Sequence, residues 1–225
     1  MYNAVLWDMD GTLVDSEPLW EIATYELSES LGRRITPEFR ARTIGGTFQN
    51  TLQLCADFAG VSVSAEQAEQ LQRQMFTRMH ELLSTRLELR PGIEKLLSEL
   101  ANSGTPMMLV TNTARELADP AIEAIGRDFF TSTICGDEVA NGKPNPEIYR
   151  TAALRLGFQP DQCLAFEDSP TGMASATAAG CRVVGLPERG EVPAEALDMR
   201  DLHGSTSFLG VTAADLAAWY AAFDN

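Results

Sequence analysis

The chain reads as an α/β protein, a doubly wound parallel sheet with an inserted helical segment. Two patterns predict this. Short apolar runs alternate with helix-patterned stretches from residue 91 to the end, and residues 17–88 carry helical periodicity with no strand pattern among them. Strands that alternate with helices form parallel sheets covered on both faces.

The first element is the run Ala4-Val5-Leu6-Trp7, bounded by Asp8 and followed by Gly11-Thr12, which reads as a buried strand breaking into a loop. Leu19, Ile22, Ala23 and Leu27 then lie on one helical face, and Leu52, Leu54, Cys55 and Phe58 do so less cleanly. From Ala65 to Leu87 the chain is polar and rich in Gln and Glu, with Leu71, Met75, Met79, Leu82 and Leu83 forming one apolar stripe. The Met75/Met79 pair reads as helix core, not as a ligand surface. Residues 16–89 are therefore expected to form a helical insertion, and residues 1–15 with 90–225 the α/β core.

In the second part, a helix is expected after Pro91-Gly92 (Ile93, Leu96, Leu97, Leu100), a strand at Met107–Val110 and a helix from Ala114 to Ile125. A strand at Ser132–Cys135, a helix from Pro146 to Leu156 and a strand at Cys163–Phe166 follow. A helix from Pro170 to Ala179, a strand at Arg182–Gly185, a last strand near Phe208 and a helix from Ala213 to Phe223 close the chain.

Composition narrows the function. Hydrophobic residues make up 44% and charged residues 22% of 225, ordinary for a globular protein. The formal net charge of −15 repels nucleic acid and anionic membranes, so an anionic substrate would have to be held by local devices: a cation, a lysine or backbone N–H groups. Cys55, Cys135, Cys163 and Cys181 form no CxxC pair and read as reduced core residues. The apolar run at residue 4 is too short for a signal peptide and no stretch is long enough to span a bilayer, so a cytoplasmic location is expected.

In doubly wound sheets, ligands bind beyond the carboxyl ends of the strands. The loop after the first run, Asp8-Met9-Asp10-Gly11-Thr12, carries two carboxylates at i and i+2; one can attack phosphorus while the other transfers a proton. A solvated acidic turn or half of a calcium loop would look the same. Val110-Thr111-Asn112 offers a hydroxyl and backbone N–H groups to a phosphate oxygen, although Thr-Asn is also a common cap pair. Lys143, stiffened by prolines in Gly142-Lys143-Pro144-Asn145-Pro146, places one positive charge, although a lone lysine is usually solvated. Glu167-Asp168-Ser169 supplies hard oxygen ligands suited to Mg²⁺, or simply an acidic start to the next helix. Each motif is modest alone; four in succession at strand ends are not.

The order DMDGT, VTN, GKPNP, EDS resembles the haloacid dehalogenase-like hydrolase superfamily, over the whole span from Asp8 to the sheet beyond Asp168. The resemblance implies a helical cap inserted after the first strand and a phosphoric monoester hydrolase working through an aspartyl-phosphate. It implies Asp8 as nucleophile, Asp10 as general acid/base, Thr111, Asn112 and Lys143 as the phosphate-binding set, and Mg²⁺ held by Asp8, the Asp10 carbonyl, Asp168 and Glu167. The superfamily's dehalogenases carry tyrosine in place of the second aspartate; Asp10 argues against that reaction. Asp15-Ser16-Glu17-Pro18-Leu19-Trp20 is similar to the sugar and hexitol phosphatases of the β-phosphoglucomutase-like subgroup.

The alternative within that subgroup is a phosphosugar mutase, which grips a second phosphate with basic cap residues. The mutases carry histidine where this chain has Trp20, and the loop Ile44–Asn50 contains no arginine or lysine. Arg33, Arg34, Arg40, Arg42, Arg73 and Arg78 lie elsewhere in the insertion and are expected mostly on solvent-facing helix surfaces. A non-catalytic module would have lost Asp8 or Asp10. The expected partner is a small, sugar-like phosphorylated metabolite, with the chain a monomer or weak dimer. Trp20 packs under the insertion or stacks on a sugar, Asp15 serves the hinge or the substrate, and His80 and His203 read as ordinary helix and loop residues.

Overall fold

The structure is a computed structural model and describes residues 1–44, 47–188 and 190–224. The chain divides into two compact units, Met1–Asp15 with Glu88–Asn225, and Ser16–Leu87.

In the first unit, Ala4–Trp7 (β1) is buried at every position, as a strand covered on both faces must be. After the Asp8–Leu13 loop, Val14–Asp15 (β2) leads out of this unit. In the second unit, Glu17–Ser30 (α1), Pro37–Ala41 (α2), Phe48–Ala59 (α3) and Ala65–Arg86 (α4) follow in order. Thr36, Thr47 and Ser64 cap α2, α3 and α4, each accepting a backbone N–H three residues on, and Gln67 completes a capping box at α4. The α4 stripe Met75, Met79, Leu82 and Leu83 is buried, and α1 packs against both α3 and α4. A second cluster joins Tyr25, Ile35 and Cys55 to Leu31, Phe39 and Phe58.

The chain re-enters the first unit at Glu88–Leu89 (β3), which pairs antiparallel with β2, Val14 opposite Leu89 and Asp15 opposite Glu88. This corrects two expectations. Residues 17–88 do run into a strand, and Glu88–Leu89 belong to the α/β unit instead of ending the insertion at residue 89. A two-residue strand has no periodicity to read; its partner, far away in sequence, defines it.

Ile93–Asn102 (α5), Met107–Val110 (β4), Arg115–Ile125 (α6), Ser132–Ile134 (β5), Glu147–Arg155 (α7), Cys163–Glu167 (β6), Pro170–Ala179 (α8) and Arg182–Gly185 (β7) then alternate. Leu197–Asp198 (β8), Met199–His203 (α9) and Ala213–Ala222 (α10) complete the chain. The described residues form a six-stranded parallel sheet in the order β5-β4-β1-β6-β7-β8, with Trp7 level with Leu109 on one side and Phe166 on the other. Strand order reverses at β1, the switch point where an α/β sheet opens its crevice.

The sixth strand is Leu197–Asp198, not a strand near Phe208. Phe208 is fully buried but stands alone between Ser207 and an exposed Leu209; its N–H bonds to the Pro91 carbonyl at 3.1 Å. Its ring packs edge-on against Trp7 and Phe166, which stack on each other at 4.5 Å. A single buried aromatic anchors this segment without forming a strand. All four cysteines are buried and free, and no helix among the described residues is long and apolar enough to cross a membrane.

Candidate active site

Because the strands are parallel, the residues that follow β1, β4 and β6 emerge at one end of the sheet. Asp8 follows β1, Thr111 and Asn112 follow β4, and Asp168 follows β6, with Glu167 the last residue of that strand. The loop at 142–146 brings Lys143 to the same end: its ammonium lies 2.5 Å from Asp8 Oδ1, 2.6 Å from Glu167 Oε1 and 2.9 Å from the Val110 carbonyl. All seven residues expected from the sequence are on these strand ends or this loop.

The nucleophile loop has a tight geometric requirement. Gly11 adopts φ +84, and a Cβ there would sit 2.0 Å from Asp168 Oδ2. Only glycine allows both the left-handed turn and the close approach of the Asp168 carboxylate. Asp10 points its carboxylate toward β4, where Oδ2 accepts from the Thr113 hydroxyl at 2.8 Å and more weakly from the Thr111 hydroxyl at 3.4 Å. Thr111 Oγ1 in turn accepts the Thr113 N–H at 3.0 Å.

Asn112 does more than expected. Its side chain donates to the Lys143 carbonyl at 3.1 Å and accepts the Lys143 N–H at 2.8 Å, so the end of β4 grips the lysine loop directly. The same loop is tied by Glu147, which accepts from the Ala140 and Asn141 backbone N–H groups, and by the Ser175 hydroxyl, which donates to the Asn145 carbonyl at 2.6 Å. The lysine is thus fixed by side chains on three elements and does not sweep through solvent.

Glu167 is completely buried. Oε1 accepts from Lys143 and from the Tyr149 hydroxyl, the latter at 2.7 Å, and Oε2 accepts from Ser169 at 3.2 Å. Helix α8 comes so close that a Cβ on Gly172 would meet this carboxylate at 1.9 Å.

The electrostatics are those of crowded acids around one base. Burial pushes the Asp8 carboxyl well above its ordinary range, with Glu167 and Asp168 adding to the rise and Lys143 opposing it. Burial, then the Glu167 charge, raises Asp168 to about 7. For Lys143, burial favours the neutral amine, but Asp8 and Glu167 outweigh it and hold the group above its usual range, fully protonated.

Carboxylate oxygens of Asp8, Glu167 and Asp168 all lie within 4.8 Å of one another. Asp8 Oδ2 is buried and has no hydrogen-bond partner among the described residues. An orphaned carboxylate oxygen among crowded acids suits a hard divalent cation, which would supply the missing positive charge. The Asp10 carboxylate is not one of these three; its Oδ2 accepts from Thr113 and Thr111 instead.

Thr113 and Tyr149 were missed in the sequence. Thr113 could have been found as a second hydroxyl two residues after Thr111 in the same loop beyond β4. Tyr149 could not: an aromatic in the first turn of a helix looks like core, and only the fold shows where its hydroxyl points.

In the helical unit, six of the seven arginines have neighbours within the unit, and Arg86 at the end of α4 is exposed. Arg33 lies over Phe58, Arg34 over Tyr25 and beside Glu29, and Arg42 over Phe39. Arg78 pairs with Glu26 and Glu81, and Arg73 is exposed beside Glu69. Arg40 departs from the expected solvent-facing pattern: its side chain is 6% exposed and pairs with Glu17 at 2.5 Å. Of the uncharged segment Ile44–Asn50, Gly45 and Gly46 lie outside the described residues, and Phe48–Asn50 form the first turn of α3 instead of loop. His80 is exposed, and His203 bonds the Leu209 carbonyl at 3.0 Å beside Trp219.

The model of the haloacid dehalogenase-like hydrolases matches residues 2–180, and the chain belongs to that family. It is 32% identical over 190 residues to a probable pseudouridine-5'-phosphatase of Drosophila melanogaster, covering 81% of this chain and 80% of that protein. It is 33% identical over 191 residues to hexitol phosphatase A of Escherichia coli K12, covering 84% of each. The structure of a putative β-phosphoglucomutase from Thermotoga maritima superposes with a TM-score of 0.73 at 28% identity, over 86% of this chain and 89% of that one, in keeping with the subgroup expected from the sequence. Among solved structures, CbbY from Rhodobacter sphaeroides, in complex with phosphate, superposes with a TM-score of 0.78 at 28% identity, over 96% of this chain and 100% of that one.

Proposed function

We propose that this hydrolase is a Mg²⁺-dependent phosphatase that releases inorganic phosphate from a small phosphorylated sugar or polyol, through an aspartyl-phosphate on Asp8. One observation carries the reading: Asp8 has its Oδ1 held by the Lys143 ammonium while its Oδ2 is buried with no partner among the described residues. One oxygen is fixed and the other is left for phosphorus or a metal.

In the first half-reaction the Asp8 carboxylate bonds to phosphorus, the bond from phosphorus to the ester oxygen breaks, and the Asp10 carboxyl gives that oxygen a proton. In the second, Asp10 takes a proton from water as the water oxygen bonds to phosphorus and the Asp8–phosphorus bond breaks. Thr111 and Thr113 hold Asp10 between the two steps. Lys143 neutralises charge on Asp8 and on the equatorial phosphoryl oxygens.

Asp8, Asp168 and the Asp10 carbonyl would hold Mg²⁺. Bound there, the ion neutralises phosphate charge and keeps the carboxylates ionised. Glu167 is near enough to join them, but both its oxygens already accept hydrogen bonds. We assign it to Lys143, with Asp168 carrying the ligand role.

The substrate class is supported by relatives named as a pseudouridine-5'-phosphatase and a hexitol phosphatase. Hydrolysis, not mutation to an isomer, is favoured because six of the seven arginines of the helical unit lie against aromatic or acidic neighbours of that unit or in solvent, and Arg40 is committed to Glu17. A panel of sugar and polyol phosphates, read for released phosphate, tests the proposal. Activity is expected with Mg²⁺, none with EDTA, little with Ca²⁺, and no requirement for a bisphosphate primer. Conversion of glucose 1-phosphate to glucose 6-phosphate, with little free phosphate and stimulation by the bisphosphate, would overturn it.

A further inference from the structure

Tyr149 is a buried titratable group for which the reaction as written has no use. It is fully buried in the first turn of α7, six residues after Lys143, and its hydroxyl donates to Glu167 Oε1 at 2.7 Å. Its ring lies under the same lysine, with Nζ 5.3 Å from the ring centroid. Burial and the Glu167 charge hold the hydroxyl protonated, so it acts only as a donor to that carboxylate.

This matters because one ammonium serves two carboxylates at nearly equal distance, 2.5 Å to Asp8 and 2.6 Å to Glu167. Whatever strengthens the pull of Glu167 withdraws Lys143 from Asp8 and from a phosphoryl group on it. A neutral donor on Glu167 Oε1 weakens that pull and adds no positive charge that would itself compete for phosphate. The remaining Glu167 oxygen is engaged by Ser169, so Tyr149 is the neutral group that shares Oε1 with the lysine.

We propose that Tyr149 is a positioning residue for phosphoryl transfer: through Glu167 it sets how Lys143 divides between Glu167 and Asp8. The proposal rests on the phosphatase reading given above.

Tyr149→Phe keeps the ring and its packing and removes only the donor. The expected result is a fall in kcat of about tenfold, the scale of one hydrogen bond to a charged group, with KM changed less than about twofold. In a Lys143→Ala background, measured by single turnover, the same substitution should add nothing, because the group it acts through is gone. Orthovanadate binding with Mg²⁺, followed by calorimetry, needs no turnover and should weaken about tenfold in Tyr149→Phe. Wild-type kcat and wild-type vanadate affinity in Tyr149→Phe would overturn the proposal. So would a loss that is fully additive with Lys143→Ala, since that is the behaviour of a purely structural residue. A wild-type protein that releases no phosphate from any ester would refute the phosphatase reading instead, and the vanadate comparison would still decide the role of Tyr149.

Discussion

The two units of the chain handle charge in opposite ways. In the helical unit, acids and bases lie mostly at the surface and pair locally, as Arg78 does with Glu26 and Glu81, while Met79, Leu82 and Leu83 fill the interior. In the α/β unit, Asp8, Glu167 and Lys143 are buried together at the end of a sheet whose strands are otherwise apolar. Surface pairs are cheap and contribute little. Buried charges are expensive to desolvate, and a buried pair is seldom the best way to stabilise a fold. Two buried carboxylates on one lysine, with Asp168 beside them, therefore point to chemistry, and the contrast locates the site without reference to any motif.

The strongest way to break this comparison is Asp8→Asn. If the buried charges exist for chemistry, kcat should fall at least about ten-thousandfold. The folded protein should persist with an undiminished melting temperature in the absence of metal, because one of the crowded acids has been neutralised. Near wild-type turnover would refute the nucleophile.

Lys143→Met should be costly on both counts. Removing the only ammonium within hydrogen-bonding distance of Asp8 and Glu167 among the described residues leaves both acids uncompensated, a loss of about 3 kcal/mol by chemical denaturation. Loss of the charge at the phosphoryl group should lower kcat by about a hundredfold or more. A variant as stable as the parent would mean that the cluster carries little buried charge.

A subtler effect comes from pH. The folded Asp168 carboxyl titrates at about 7 against an ordinary 3.8, so the metal-free folded state holds its proton more tightly than the unfolded chain does. The stability this provides is complete below about pH 4 and is lost as pH rises toward 7. The melting temperature of EDTA-treated protein should fall across that window, and saturating Mg²⁺ should flatten the slope. An identical slope with and without Mg²⁺ would place the ion elsewhere.

The smallest effect belongs to the other unit. Arg78→Ala removes a surface pair and should leave kcat unchanged, with the least shift in melting temperature of the set. A marked loss of kcat there would show that the helical unit's surface charges take part in catalysis and would undo the contrast.

Much of this was legible in the sequence, for a local reason. Strand runs such as Met107–Val110 and the helical stripe of Met75 to Leu83 are set by residues a few positions apart. The carboxylates of Asp8, Asp10 and Asp168 announce themselves by standing where apolar strands end, and Gly11 by the turn it must make. What the tertiary structure alone decided depends on residues far apart in the chain. The pairing of Glu88–Leu89 with Val14–Asp15, the choice of Leu197–Asp198 over Phe208 as the sixth strand, and the grip of Asn112 on the Lys143 backbone are all of this kind. So are the two donors on Glu167 Oε1, Lys143 and Tyr149, which reach it across 24 and 18 residues of sequence. A side chain's type is written in the sequence, but which oxygen its proton reaches is fixed only when parallel strands bring their ends together.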